Sequence, residues 1–314
     1  MEDYPRTLME LERRFATDEA CREYLARLRW PRGFSCPAWG GTNAWATGRG
    51  LRMCATCEQQ VSVTAGTIFQ DTRTPLTLWF RAIWWVVSQK PGASALGLQP
   101  VLGLGSYRTA WTWLHKLRRA MVRPGRDRLT GEVEVDETFV GGVEPGGGRR
   151  HVGKKALVAV AAEVRGPAIG RIRLRRVSDS SADSLLPFVQ EAVGPGTVVI
   201  TDGLQSYRGL PDVGYRHDRR VLLGSGESAE AVLPRVHRVA SLLKRWLLGT
   251  HQGAVSREHL DYYLDEFTFR FNRRTSRKLF YRLLEQAVAV DPVPYAAMVK
   301  GLRGPRRRRY PNRS

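Results

Sequence analysis

The chain is short of cysteine, of acids and of long apolar runs, and each shortage excludes a class. Four cysteines in 314 residues rule out a disulfide scaffold. No apolar run approaches the roughly 20 residues of a membrane span, because the longest, Leu76 to Val87, is broken by Thr77 and Arg81. The start, Met1 to Arg6, is acidic and lacks an apolar core, so no secretory signal is expected and a cytoplasmic location is. Acids number 30 against 50 Lys+Arg, a net charge of +20, and such a field attracts polyanions at low salt. With 42% hydrophobic residues, nine Trp, ten Tyr and ten Phe, the chain is not a disordered polymer. Its length allows about two or three domains.

Local patterning divides the chain. Residues 3–30 read as a helical stretch, with Thr17 ahead of Asp18 and Glu19 suited to an N-cap. Residues 31–70 are rich in Gly, Thr, Cys and Trp, with a β-like run at Gln60–Thr64. Residues 71–130 are helical and rich in Trp. From 131 to 275, strand-like runs (Glu132–Val140, Ala156–Val164, Ile169–Val177, Thr197–Thr201, Arg219–Leu223) alternate with helices at Ala182–Val193, 235–249 and 256–271, which predicts an α/β fold. Residues 276–314 form C-terminal helices and a tail, Leu302–Ser314, with six Arg and no acid. The loop Gly141–His151 carries five Gly and one Pro, a flexible excursion from a strand rather than a phosphate cradle.

Three groups of residues bear chemistry. Cys36-Pro37-Ala38-Trp39 and Cys54-Ala55-Thr56-Cys57 have the spacing of two zinc-ribbon knuckles, since tetrahedral Zn²⁺ needs four ligands from two tight turns. Trp39 stands where the fourth cysteine belongs, and Cys21, in the preceding helix, is a poor replacement. A ribbon with full Zn²⁺ affinity, a degenerate three-ligand site held by Cys36, Cys54 and Cys57, and ordinary buried thiols all fit the pattern. Ser94–Leu102 and Ser106–Ala120, joined by a Gly-containing turn, suit a helix-turn-helix whose second helix carries Arg108, Lys116, Arg118 and Arg119; a plain helical bundle with Trp111, Trp113 and Leu114 as core fits equally. Finally, apolar and acidic residues alternate along Glu132–Thr138, and Asp202 directly follows the apolar run Val198–Thr201. Carboxylates at strand ends suit hard divalent cations such as Mg²⁺, though they can also be simple caps. His237 and Lys244, nearly two helical turns apart, share one helix face. Glu137 alternates to the opposite sheet face from Asp136 and is left out of the site.

Four stretches together resemble one known family: Val135–Gly142, the Thr201-Asp202-Gly203 turn, Leu243-Lys244-Arg245 with Gly249-Thr250-His251, and His259–Arg274. They resemble bacterial insertion-sequence transposases of the ISXO-like group (the IS fifteen-ninety-five family), over nearly the whole chain from about Met9 to Val290. That resemblance implies a zinc-ribbon-like module, a helix-turn-helix-like region and an RNase H-like DDE catalytic domain. It implies metal ligation of Mg²⁺ (or Mn²⁺) by Asp136 and Asp202, with His237 at the third position, where many relatives have Glu, and Lys244 against a phosphate. It further implies DNA strand cleavage and strand transfer at element ends, terminal inverted repeats and target DNA as partners, a homodimer or higher oligomer on DNA, and nucleoid association. Arg270, Arg273 and Arg274 are candidate backbone-phosphate contacts. Two rival readings are a decayed or repurposed non-catalytic DNA-binding protein, favoured by Trp39 and His237, and an RNase H-like nuclease without joining activity.

Overall fold

Side-chain caps decide where the first helices begin. Thr7 Oγ1 accepts the Glu10 N–H at 3.1 Å and Thr17 Oγ1 accepts the Ala20 N–H at 3.3 Å, satisfying first-turn donors that have no partner inside a helix. The expected single stretch is therefore two helices, α1 (Leu8–Arg14) and α2 (Asp18–Arg29). The computed structural model describes residues 4–123, 125–141, 155–221, 229–251 and 255–299. They fall into two units, Met1–Arg126 with Arg273–Val293, and Asp127–Asn272 with Pro294–Ser314.

In the first unit a small antiparallel sheet, β1 (Ala44–Ala46), β2 (Arg52–Cys54) and β3 (Gln60–Val61), follows α2. The strand expected over Gln60–Thr64 is thus only two residues long, because Ser62 and Thr64 turn their hydroxyls on each other at 2.8 Å. Next come α3 (Leu76–Ser88), α4 (Ala95–Val101) and α5 (Tyr107–Ala120), the last two capped by Ser94 and Ser106. Trp79 of α3 stacks on Trp113 of α5 with centroids 3.9 Å apart.

The second unit holds five strands: β4 (Glu132–Val140), β5 (Ala156–Arg165), β6 (Ala168–Val177), β7 (Val198–Thr201) and β8 (Arg216–Arg219), with α6 (Ala182–Ala192) between β6 and β7. The sheet order is β6-β5-β4-β7-β8. The first three strands are antiparallel, whereas β4–β7 and β7–β8 are parallel. Then α7 (Ala229–Val232), α8 (Pro234–His251) and α9 (Leu260–Asn272) complete the unit. Helix α6 covers one face through Leu185, Phe188 and Val189 against Val133, Val135 and Val199. Helices α8 and α9 cover the other through Val239, Leu243, Leu264 and Phe267 against Val158, Val160 and Ile172. β5, between two neighbours and under helices on both sides, is buried from Ala156 to Ala162, as its unbroken apolar run demands. This three-layer order is the RNase H-like arrangement.

One expectation is corrected. The last strand begins at Arg216 rather than Arg219 and ends at Arg219, because a sheet edge accepts the polar Arg-His-Asp-Arg segment where one side stays wet; Leu222 and Leu223 of the expected strand lie outside the described residues. The chain returns at Arg273 to the first unit, where α10 (Leu279–Ala287) packs on α2, α3 and α5; α11 (Tyr295–Val299) follows. Most of the Gly-rich loop and the Arg tail lie outside the described residues.

At the free edge of β6, Asn272 closes α9 onto the sheet. Its carboxamide oxygen accepts the Ile172 N–H at 2.7 Å and its amide donates to the Ile172 carbonyl at 3.1 Å, standing in for a missing strand. Asn272→Ala should therefore destabilise the chain by about 1–3 kcal/mol. Chemical denaturation measures this, and an unchanged midpoint would contradict the bridging role.

Candidate active site and cysteine cluster

Alternation along β4 sorts its acids. Val133 and Val135 face α6, so Glu137 lies on that side, and Glu134 and Asp136 face α8. Asp136 is partly buried, with its Oδ2 3.6 Å from His237 Nε2 on α8. Burial pushes its carboxyl pKa up and Asp202 adds to this, while His237 and Lys244 pull it down. All four expected catalytic residues are thus within electrostatic reach of one point. Asp202 is held by a tight turn: its Oδ1 accepts the Leu204 N–H at 3.0 Å, and Gly203 takes φ +92°, a conformation that favours glycine. Lys244, exposed on α8, has its pKa lowered by partial desolvation and by the charge of Lys155, against an opposing pull from Asp136.

Lys155 and Glu134, near the site, are not marked by the sequence pattern, and Glu137 is set aside by it. Lys155, at the start of β5, comes beside Lys244; the antiparallel pairing that puts it next to the end of β4 was the available signal. Glu134 shares the α8 face with Asp136, an i,i+2 relation visible in the strand. Glu137 points away from that face as expected, yet it receives a 3.0 Å hydrogen bond from the Tyr207 hydroxyl. Tyr207 belongs to the turn that follows Asp202, so this bond ties that turn to β4. Burial and the charge of Asp136 raise the Glu137 carboxyl to about 7 despite the Tyr207 bond.

The donor chemistry of Asp136 and Asp202 suits a hard divalent cation. Their like charges, one raising the pKa of the other, are the kind a cation offsets. Imidazole is the weaker partner for such an ion. The three side chains are not gathered as tightly as the cysteines: among the described residues, Cys36, Cys54 and Cys57 are the group of His, Cys, Asp or Glu whose ligand atoms all lie within 4.8 Å of one another.

The cysteine knuckles are near copies in backbone geometry. In the first, the Cys36 N–H donates to the Gly41 carbonyl at 2.8 Å and the Gly40 N–H to the Cys36 carbonyl at 2.7 Å. In the second, the Cys54 N–H donates to the Gln59 carbonyl at 3.0 Å and the Glu58 N–H to the Cys54 carbonyl at 3.0 Å. Gly40 and Glu58, at equivalent places, both have positive φ. Each leading sulfur accepts two backbone N–H groups, from Ala38 and Trp39 at Cys36 and from Thr56 and Cys57 at Cys54. These bonds, with one from the Trp39 side chain, bring the Cys54 thiol down to about 6. Cys36 Sγ and Cys57 Sγ lie 3.6 Å apart, close to the edge of about 3.8 Å implied by tetrahedral Zn–S bonds of about 2.3 Å. The residues present fit Zn²⁺ with three thiolates. Trp39 occupies the place of Cys57 in the first knuckle and turns its indole N–H, its one side-chain donor, to Cys54. Cys21 is buried in α2 and pushed up to about 12 by burial.

Family models match two stretches of the chain. Residues 128–272 match the ISXO2-like transposase domain, and residues 16–60 match the transposase zinc-ribbon domain. The chain belongs to the zinc-ribbon DDE transposases of this group. A similar curated protein is the uncharacterized protein in transposable element ISH50 of Halobacterium salinarum, 25% identical over 297 residues, which span 87% of this chain and 98% of that protein. Similar solved structures include the Mos1 transposase paired-end complex with left transposon end, at 14% identity and TM-score 0.30, over 66% of this chain and 78% of that one. The Mos1 strand transfer complex aligns at 14% identity and TM-score 0.30, over 67% of this chain and 75% of that one. Both likenesses are low. Among the described residues of this transposase, no helix is long and apolar enough to cross a membrane.

The expected phosphate contacts divide sharply. Arg108 and Arg274 are exposed. Lys116 and Arg119 are half-buried, and the Lys116 ammonium lies 6.0 Å from the Trp79 ring centroid. Arg118 is a correction: it is 2% exposed and donates to the Ala93 carbonyl at 3.0 Å, because it lies four residues after Leu114 on the inward face of α5. Arg270 is a second correction. It is ion-paired at 2.9 Å with Glu266, a buried carboxylate that needs its charge. Arg273 is half-buried, and burial lowers its pKa.

Two predictions follow from these geometries. A glutamate that stays protonated in the fold to about pH 7, but ionises near 4.5 when unfolded, stabilises the fold fully below about 4.5 and loses that contribution as pH rises through about 7. In chelator-treated protein, Glu137 should produce a fall on the order of 2–3 kcal/mol across that window, and Glu137→Gln should flatten it; denaturation at a series of pH values tests this. Trp39→Cys should supply a fourth thiolate and raise Zn²⁺ affinity and retained stoichiometry above wild type. Equal, stoichiometric Zn²⁺ in both proteins would refute the three-ligand assignment.

Proposed function

We propose that this transposase cleaves DNA at the ends of its element and joins those ends to target DNA, in a divalent-metal-dependent reaction centred on Asp136. The observation that carries the reading is the convergence on Asp136 of Asp202, from the turn after β7, and of His237 and Lys244, both from α8. Asp136 and Asp202 are the residues that would hold Mg²⁺ or Mn²⁺, with His237 as third ligand or proton carrier. When bound, such ions favour deprotonation of the attacking oxygen and offset charge on the leaving one.

The rest of the work falls to the chain itself. Lys244 and Lys155 form a cationic pair suited to the non-bridging oxygens of the scissile phosphate. The imidazole of His237, beside Asp136, is placed to pass a proton between the acid and the reacting oxygen. In the first step a water oxygen bonds to phosphorus and the 3′-oxygen of the element strand leaves, taking up a proton. In the second, that 3′-hydroxyl attacks a target phosphodiester, losing its proton as a target 3′-oxygen leaves. The helices α4 and α5, with exposed Arg108, and the three-cysteine module are suited to hold the element end; the net charge of +20 supplies sequence-independent attraction.

Asp136→Asn should abolish strand cutting while end binding stays near wild type. A gel assay with labelled end DNA, a supercoiled target and Mn²⁺ follows both. A mutant that still cuts would remove the central assignment, and cleavage by wild type without joined product would favour the nuclease reading.

A further inference from the structure

Glu134 is fully buried on β4, two residues before Asp136 and on the same face. A buried carboxylate is costly unless paired and hydrogen-bonded, and its partners all come from one place. Its Oε2 accepts the backbone N–H of Arg235 at 2.7 Å and of Val236 at 3.1 Å, and its Oε1 accepts a guanidinium N–H of Arg235 at 2.7 Å. These two backbone groups belong to the first turn of α8, which starts at Pro234, a residue with no N–H to satisfy. The same guanidinium also donates to the Gly166 carbonyl in the β5–β6 turn. The next residue of α8 is His237, which stands 3.6 Å from Asp136.

We infer that Glu134 is a positioning residue, a cap supplied by β4 to the N-terminus of α8 that sets His237 against Asp136. The inference rests on the active-site reading above and deepens it. A carboxylate at a helix N-terminus is favoured by the exposed N–H groups and by the helix dipole. Here the cap is not a neighbour in sequence but a strand residue about a hundred positions away, so it couples the helix to the strand that bears the first acid. β4 thus carries both Asp136 and the anchor for the helix of the third site residue. Glu134 itself touches no substrate; Arg235 seals it and links it to the adjoining turn.

The test combines a structural readout with a kinetic one. Amide hydrogen exchange at Arg235 and Val236 should be protected in wild type, lose that protection in Glu134→Ala, and keep part of it in Glu134→Gln, whose carboxamide oxygen can still accept. Under the cleavage assay, Glu134→Ala should lower the rate at saturating end DNA by about 10–100-fold, leave the half-saturating DNA concentration unchanged, and be partly rescued in Glu134→Gln. Wild-type rate in Glu134→Ala despite lost protection, intact protection in Glu134→Ala, or an equal loss in DNA affinity would overturn the inference. If Glu134→Ala does not fold, Glu134→Gln and Arg235→Met decide it, and wild-type rates in both would overturn it. Should wild type neither cleave nor join, the transposition reading falls, while the exchange data still decide whether Glu134 caps α8.

Discussion

A carboxylate taken out of water must be given partners, and β4 carries three acids between residues 134 and 137. Two are met by α8 and one by the turn after β7. Glu134 is capped onto the first turn of α8, Asp136 meets His237, and Glu137 receives the Tyr207 hydroxyl from the turn after Asp202. The need to satisfy these acids therefore does more than remove a penalty. It brings the helix of the proposed third ligand and the turn of the second to the strand that bears the first. β5 and β7 flank β4, and helices close both faces, so the strand has little freedom to move.

The cysteine cluster shows the opposite economy. There the backbone supplies the geometry, with paired N–H donors on each leading sulfur and positive φ at the fifth residue of each knuckle. One side chain has changed within that frame, and Trp39 replaces a thiolate by a hydrogen-bond donor. Because the knuckle is held by main-chain bonds, such a replacement alters the ligand count without dismantling the turn.

The positive charge that dominates the composition is not spread uniformly over phosphate-facing surface. Arg118 serves a buried carbonyl, Arg270 and Arg235 offset buried carboxylates, and Arg171 does the same for Glu163. Part of the basic excess is internal wiring. Arg118 was readable in principle, since it continues the inward stripe of Leu114 and Leu117; counting its charge without its helical phase sent it to the wrong side.

Much of the architecture was legible along the chain because it follows from short-range periodicity. Alternation of apolar and polar residues gave the strand Glu132–Val140 and the opposite faces of Asp136 and Glu137, and the N-cap at Thr17 gave one helix start. The apolar stripe of α8 placed His237 and Lys244 together, and knuckle spacing marked Cys36, Cys54 and Cys57. Where local pattern was ambiguous it failed: the last strand begins at Arg216 rather than Arg219, and one helical stretch proved to be two. What only the tertiary structure decided is which of these pieces meet. Lys155 beside Lys244, Tyr207 on Glu137, Glu134 under the first turn of α8, and the return of α10 to the first unit all join residues far apart in sequence. Such pairings are selected by the packing of whole layers and the satisfaction of buried polar groups, and a local pattern carries neither.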